Sequence, residues 1–196
     1  MMPQVKARRS RKVKSAGKMQ HAHLTVSIPS LIHAGRDRQF GEMIALMYAM
    51  LGRLQTIRRF LAKALDLSSS EFAVVITLHR ANADGLRIRG IADELHVAAA
   101  NVTATVTRLE RSGWVTKGPD ERDSRAVSIR LSRKAKERMD AFADTLHAVN
   151  DVWFEGTSSS EFKAVVALFR RLIDRYGPTV DVARKIGRKS MRRPAW

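Results

Sequence analysis

Residues 92–132 read ADELHVAAANVTATVTRLERSGWVTKGPDERDSRAVSIRLS, and the change of period inside this stretch decides the fold. Its opening belongs to two short helices. RIRGIADELH at 87–96 sets Ile88, Ile91, Ala92 and Leu95 at steps of three and four, and Val97 and Ala98 turn the chain. Residues 99–112 then point Val102, Thr105, Val106 and Leu109 inward, and Gly113 ends the helix. From Trp114 the period changes. Trp114, Val115 and Thr116 read as a strand that Gly118–Pro119 breaks, and Val127, Ile129 and Leu131 alternate with Ser128 and Arg130 as a second strand. Two short helices joined by a tight turn, then a two-stranded hairpin, are the plan of a winged helix-turn-helix.

The second short helix is the candidate reader of a DNA major groove. Its inward face leaves Ala100, Ala104, Thr107 and Arg111 outward, flanked by Asn101, Thr103 and Arg108, with Ala99 at its start. None of these is acidic, as a phosphate-lined groove requires, and Glu110 falls to the side. Small side chains let the helix enter deeply and read thymine methyls and shape; only Asn101, Arg108 and Arg111 offer strong edge or phosphate chemistry. The hairpin loop PDERDSRA at 119–126 brings Arg122, Asp123 and Arg125 to an exposed tip. An arginine there can enter a minor groove, where negative potential is strong, with a nearby carboxylate limiting its ordering cost. The plain alternative is a solvated loop of mixed charge.

Outside this lobe the chain is helical. Phe40, Ile44, Met47, Leu51, Leu54, Leu61 and Leu65 follow steps of three and four, broken at Arg58, beside a second stripe of Met43, Leu46, Met50, Ile57, Phe60 and Ala64. The two cover more than half the circumference, whereas a surface helix needs an apolar arc of about 100°. Such a helix buries two faces, one in its own domain and one against a partner subunit, or else runs through the centre of a monomeric bundle. Ser68 with Glu71, and Ser158 with Glu161, read as capping boxes that open helices. One helix is expected from Ser132 to Phe154, and another from Ser158 until Gly177–Pro178 stops it. The fold class is therefore mainly α with a small β-hairpin, a winged helix-turn-helix lobe plus a helical dimerisation region.

Charge narrows the function. The 196 residues hold 36 Lys and Arg against 19 Asp and Glu, a formal charge of +17 that calls for a polyanionic partner. Residues 1–18 carry +7 without an acid, and 177–196 carry +5. Such tails serve either as electrostatic arms on nucleic acid or as solvated ends. No cysteine is present, which excludes disulfides, thiol switching and cysteine-bound zinc. No run of about 18 apolar residues reads as a membrane span. The basic start lacks an apolar segment, so no secretory signal is read and the chain is expected in the cytoplasm, at the nucleoid. His21 and His23 lack a surrounding ligand cluster, and no nucleotide-binding, zinc-hydrolase or nucleophile-elbow spacing appears. The expectation is no enzyme, no metal and no cofactor.

The 92–132 stretch resembles the DNA-binding lobe of the MarR family, the multiple-antibiotic-resistance-type regulators. The matching positions are Leu95, Val97, Val102, Thr103, Val106, Leu109, Glu110, Gly113 and Val115, and the wing pattern matches through Asp123, Arg125, Ile129, Leu131 and Ser132. The order of elements extends the likeness to about 39–176. The resemblance implies homodimers in which the first helix and the last two interlock, a pseudo-palindromic operator in double-stranded DNA, and often release by a small, frequently phenolic, ligand. It makes Arg125 the minor-groove arginine and Asp123 its positioning partner. It also lets the Met-rich first helix line a ligand cavity, through Phe40, Met43, Met47 and Tyr48, together with Trp153; plain core is the other reading of these residues. Three positions depart from the pattern. His96 stands for the usual Gly, Ala98–Ala99 for the usual Ser-Arg, and Ala135 for a Gly.

The expected organisation is a basic arm over 1–38 with a largely disordered start, a domain over 39–176 and a basic tail over 177–196. Within the domain, 39–66 and 132–176 are dimerisation helices and 68–131 is the lobe. The expected function is a homodimeric transcriptional regulator, more a repressor than an activator. A binder of low sequence preference dominated by its tails is the alternative, and an interaction module for acidic proteins is a third reading.

Overall fold

The computed structural model describes residues 24–81, 85–120, 123 and 125–190. The start of the basic arm with His21 and His23, residues 82–84, Arg122 and residues 191–196 lie outside the described residues. The chain divides into two compact units, one through Glu137 and one from Arg138.

In the first unit a short 3-10 turn, Pro29–Leu31, precedes α1, Arg38–Ala64. Asp37 occupies the N-cap of α1 without capping it. Its Oδ2 instead accepts from the Thr25 N–H and hydroxyl, each at 2.6 Å. These two donors, the hydroxyl first, hold the Asp37 carboxyl below the usual carboxylate range.

The lobe follows as α2 (Ser69–Arg80), α3 (Ile88–Leu95), α4 (Ala99–Arg111), β1 (Val115–Pro119) and β2 (Val127–Leu131). Ser68 and Glu71 form the expected reciprocal cap of α2. Phe72, Val75 and Leu78 of α2, Ile91 of α3, Val102, Val106 and Leu109 of α4, and Ile129 of β2 close one apolar core. The hairpin is antiparallel, pairing Val115 with Leu131 and Pro119 with Val127. Gly118–Pro119 therefore does not break β1, as its composition suggested. Proline fits at the end of a two-stranded ribbon, where its missing N–H costs no ladder bond. A third piece of backbone joins this sheet: Leu86 N–H donates to Ile129 O at 3.0 Å, and Ile129 N–H to Leu86 O at 2.8 Å. Gly85 makes the approach feasible. Its φ is +68°, and a Cβ there would stand 2.6 Å from the Ile129 carbonyl oxygen.

α1 buries less than its pattern called for. Ala62 in its last turn and Leu65 just beyond it are buried. Leu46, Tyr48, Met50, Leu51, Leu54 and Phe60 are exposed. Within this single chain both stripes lack cover over most of the helix.

α5, Arg133–Ala141, contains the division between the units; α6 (Ala143–Trp153), α7 (Ser159–Asp174) and α8 (Tyr176–Ser190) complete the second. Ser132 starts α5, its hydroxyl accepting from Ala135 N–H and donating to Gly113 O. The single helix expected over 132–154 is interrupted at Phe142, whose N–H donates to both Arg138 O and Met139 O. That bifurcated bond tightens one turn and keeps αR dihedrals, so a local 3-10 turn divides the helix. Gly177–Pro178 does not end the helical region either. α7 stops at Asp174, and α8 restarts with both residues in its first turn, where a proline lacks nothing the helix needs. α7 opens with the expected cap of Ser158 and Glu161. Its Phe162, Val165, Phe169, Leu172 and Ile173 are exposed.

Candidate nucleic-acid interface

α4 is built to show a small surface. Burial of Val102, Thr105, Val106 and Leu109 turns Ala99, Ala100, Asn101, Thr103, Ala104 and Arg111 outward, with Thr107 half-buried beside them. The outward threonines spend their hydroxyl protons on the helix: Thr103 Oγ1 donates to Ala99 O and Thr107 Oγ1 to Thr103 O, each at 3.0 Å. What remains for a ligand is a methyl group and an acceptor lone pair. The nearest acid is neutralised, since Lys117 Nζ of β1 reaches Glu110 Oε2 at 2.6 Å.

Arg108 stands apart from this face. Its Nε reaches Glu71 Oε1 and its Nη2 reaches Thr105 Oγ1, each at 3.2 Å. It therefore lies on the flank of α4 toward α2, where it joins the two helices. Burial raises the Glu71 carboxyl, but donation from the Ser68 hydroxyl and N–H and from Arg108 outweighs it and leaves Glu71 below its ordinary value.

The turn into α4 shows the departures noted from the residues. His96 caps α3 in the left-handed region at φ 52°, ψ 43°, and Ala98 at the N-cap of α4 supplies no side-chain acceptor.

The wing turn is held at several points. Asp120 N–H donates to Ala126 O and Ala126 N–H to Asp123 O, each at 2.9 Å. Asp123 Oδ1 accepts the backbone N–H of Arg125 at 3.2 Å. Asp123 thus fixes the main chain of Arg125, while the Arg125 side chain stands exposed. The other carboxylate oxygen of Asp123 faces Arg87 Nη2 at 3.4 Å, and Asp120 Oδ2 faces Arg87 Nε at 3.0 Å. The hydrogen bond to Asp120 raises the Arg87 pKa. Sequence reading missed Arg87 and has Asp120 only as one of the loop carboxylates able to hold an arginine. Only the excess of carboxylates in the loop hinted that a cation had to come from elsewhere.

The proposed ligand residues are divided. Phe40, Met43, Met47 and Tyr48 lie along α1, Met47 and Tyr48 exposed. Trp153 belongs to the second unit, where its ring centroid is 5.9 Å from that of Phe154. A different cleft, of 630 Å³, opens in the first unit beside Arg58, Ser70, Val74, Val97, Asn101 and Arg108. Arg58, the break in the apolar stripe of α1, was its one signal. Among the described residues no group of three or more His, Cys, Asp or Glu could hold a metal ion. No helix of the described residues is long and apolar enough to cross a membrane.

Residues 67–127, which hold both α4 and the wing turn, match the MarR family. The lobe is similar to a MarR-family domain. The HTH-type transcriptional regulator PecS of Dickeya dadantii (strain 3937) is 31% identical over 91 residues, 42% of this chain and 55% of PecS. The chain spans about half the length of the curated relatives it matches. The fold extends the likeness beyond the MarR match. The transcription regulator MarR from Oenococcus oeni PSU-1 superposes with TM-score 0.61 at 17% identity, over 67% of this chain and 98% of that one. BpsR of Bordetella bronchiseptica, whose DNA binding is described as regulated by 6-hydroxynicotinic acid, superposes with TM-score 0.54 at 18% identity, over 66% of this chain and 91% of BpsR. These likenesses establish a MarR-type winged-helix fold.

Proposed function

We propose that this chain is a DNA-binding transcriptional regulator, a homodimeric repressor of a pseudo-palindromic operator in double-stranded DNA. The observation that carries the reading is the acid-free outward face of α4 beside a wing turn that fixes the backbone of Arg125. Ala99, Ala100, Asn101, Thr103, Ala104, Thr107 and Arg111 enter the major groove, and Arg125, with Arg122 nearby in the sequence, the minor groove. Arg108 supports α4 from its flank. The uncovered apolar residues of α1 and α7 support a second copy as partner, because such long apolar faces rarely stand in water. A dimer sets two reading helices about one turn of DNA apart.

Control by a small aromatic ligand belongs to the same proposal, supported by what BpsR is described as responding to. Phe40, Met43, Met47, Tyr48 and Trp153 remain candidates. The cleft at Arg58 falls in the volume range of ligand sites and borders α1 and α4 together, so a molecule there bears directly on the reading helix.

The test is selection of bound sequences from a random DNA pool at about 0.15 M salt, where nonspecific phosphate binding is weakened. An inverted repeat with half-sites about 10 base pairs apart is the expected result. The basic tails favour a second reading, a coat of low sequence preference. Removing 1–18 and 177–196 should then abolish whatever preference exists. For the regulator, removal weakens binding and flattens the salt dependence but keeps the preference.

A further inference from the structure

We propose that Arg87, at the start of α3, is a positioning residue that holds the wing turn in shape so that Arg125 meets DNA already placed. The proposal rests on the reading of the wing as a DNA contact. Arg87 is the N-cap of α3, a position where Ser, Thr, Asp or Asn ordinarily caps the helix, and its side chain makes no cap bond. It turns instead to residues 33 and 36 positions further along the chain. One guanidinium bridges Asp120 at the start of the turn and Asp123 in its middle, at 3.0 and 3.4 Å. Asp123 divides its carboxylate, one oxygen to Arg87 and the other to the N–H of Arg125, so a single carboxylate separates the two arginines.

The base of this staple is itself anchored. Leu86, one residue before Arg87, is hydrogen-bonded in both directions to Ile129 of β2, the strand that leaves the turn. Arg87 therefore extends from a point fixed on the hairpin, and its guanidinium closes a loop from β2 to the turn. One consequence follows. Asp120, Asp123 and the backbone N–H of Arg125 are held when the lobe folds, so less ordering entropy is left to oppose DNA binding.

The test has one arm without DNA and one with it. In the free protein, Arg87→Ala should speed amide hydrogen exchange at Arg125 and Ala126 on the order of tenfold, with α2 and α4 unchanged. Arg87→Lys keeps the charge but cannot bridge both carboxylates in the same plane, and should restore only part of the protection. Unchanged exchange in Arg87→Ala, or full restoration by Lys, overturns the staple. On the duplex recovered by sequence selection, Arg87→Ala should weaken binding, whereas Arg87→Ala combined with Arg125→Ala should bind no more weakly than Arg125→Ala alone. Additive losses would make Arg87 a direct phosphate contact and overturn its positioning role. If the wild type selects no DNA while the exchange difference is present, the regulator reading fails; Arg87 is then a structural staple and its role toward DNA is overturned.

Discussion

Glu71 Oε1 lies 3.2 Å from Arg108 Nε, while Glu71 Oε2 accepts from the backbone N–H of Ser68. One carboxylate therefore closes the N-terminus of α2 and clamps the flank of the reading helix. The clamp occupies the guanidinium of Arg108 on the flank of α4 where its helical period places it. It also ties the orientation of α4 to the junction between α1 and α2.

This dual role makes Glu71 a source of acid sensitivity. Its pKa is lower in the folded protein than in the unfolded chain, so the stabilisation it gives is complete above the unfolded value of about 4.3 and lost as pH falls through the folded one. Glu71→Ala removes the cap and the ion pair and should cost about 1–2 kcal/mol at pH 7. The gap between variant and wild type should close toward pH 3. Urea unfolding at both pH values checks this; an equal gap at both would show that the charge plays no part.

His96 holds left-handed dihedrals at the end of α3, where a Cβ costs about 1–2 kcal/mol against a glycine entropy cost of 0.5–1. His96→Gly should therefore raise stability by about 0.5–1 kcal/mol, and His96→Ala, which keeps the Cβ, should not. Chemical denaturation of the two variants side by side decides it. A gain in Ala equal to that in Gly would point to the imidazole and not to the backbone.

Gly85→Ala works in the opposite direction. It adds a left-handed penalty to a close approach on the Ile129 carbonyl, for a loss of about 2–4 kcal/mol. The Leu86 bridge and the anchor of Arg87 should loosen with it. A urea midpoint close to that of the wild type would show that 85–86 can shift away from β2 at little cost.

These residues also mark how far the sequence could be read. Both capping boxes and the inward set of α4 follow from rules that act within a few residues and are legible; the alternation of β2 marks the strand but not its faces, since Val127 is exposed and Ser128 is buried beside Ile129. The pairing of Arg87 with Asp120 is not legible, because it is formed by the path of the chain across more than thirty residues. Arg108 is placed correctly on the flank of α4, but its partner Glu71 lies 37 residues earlier and no local pattern names it. The Leu86 bridge involves one residue and leaves no period. Phe142 and the restart at Tyr176 are single-turn adjustments to which the spacing of apolar residues is blind. For the wing, the family resemblance made Asp123 the positioning partner of Arg125, and the geometry has Asp123 accept from the main-chain N–H of Arg125.

The exposed stripe of α1 supports a last prediction. Leu51 and Leu54 lie three residues apart on one side of the helix and are each about half exposed, 52% and 51%. Covering a large apolar side chain contributes about 1.5–3 kcal/mol, and a two-fold contact counts each substitution twice. Leu51→Glu combined with Leu54→Glu should therefore turn a micromolar dimer into a monomer. Neither side chain is buried within its own chain, so the lobe should remain folded, with α2 and α4 protected from exchange as before. Sedimentation equilibrium of wild type and variant reads the association directly. If the wild type is monomeric at micromolar concentration, two linked reading helices have no physical basis. If the variant remains dimeric, the interface lies elsewhere, with the exposed face of α7 the next surface to substitute.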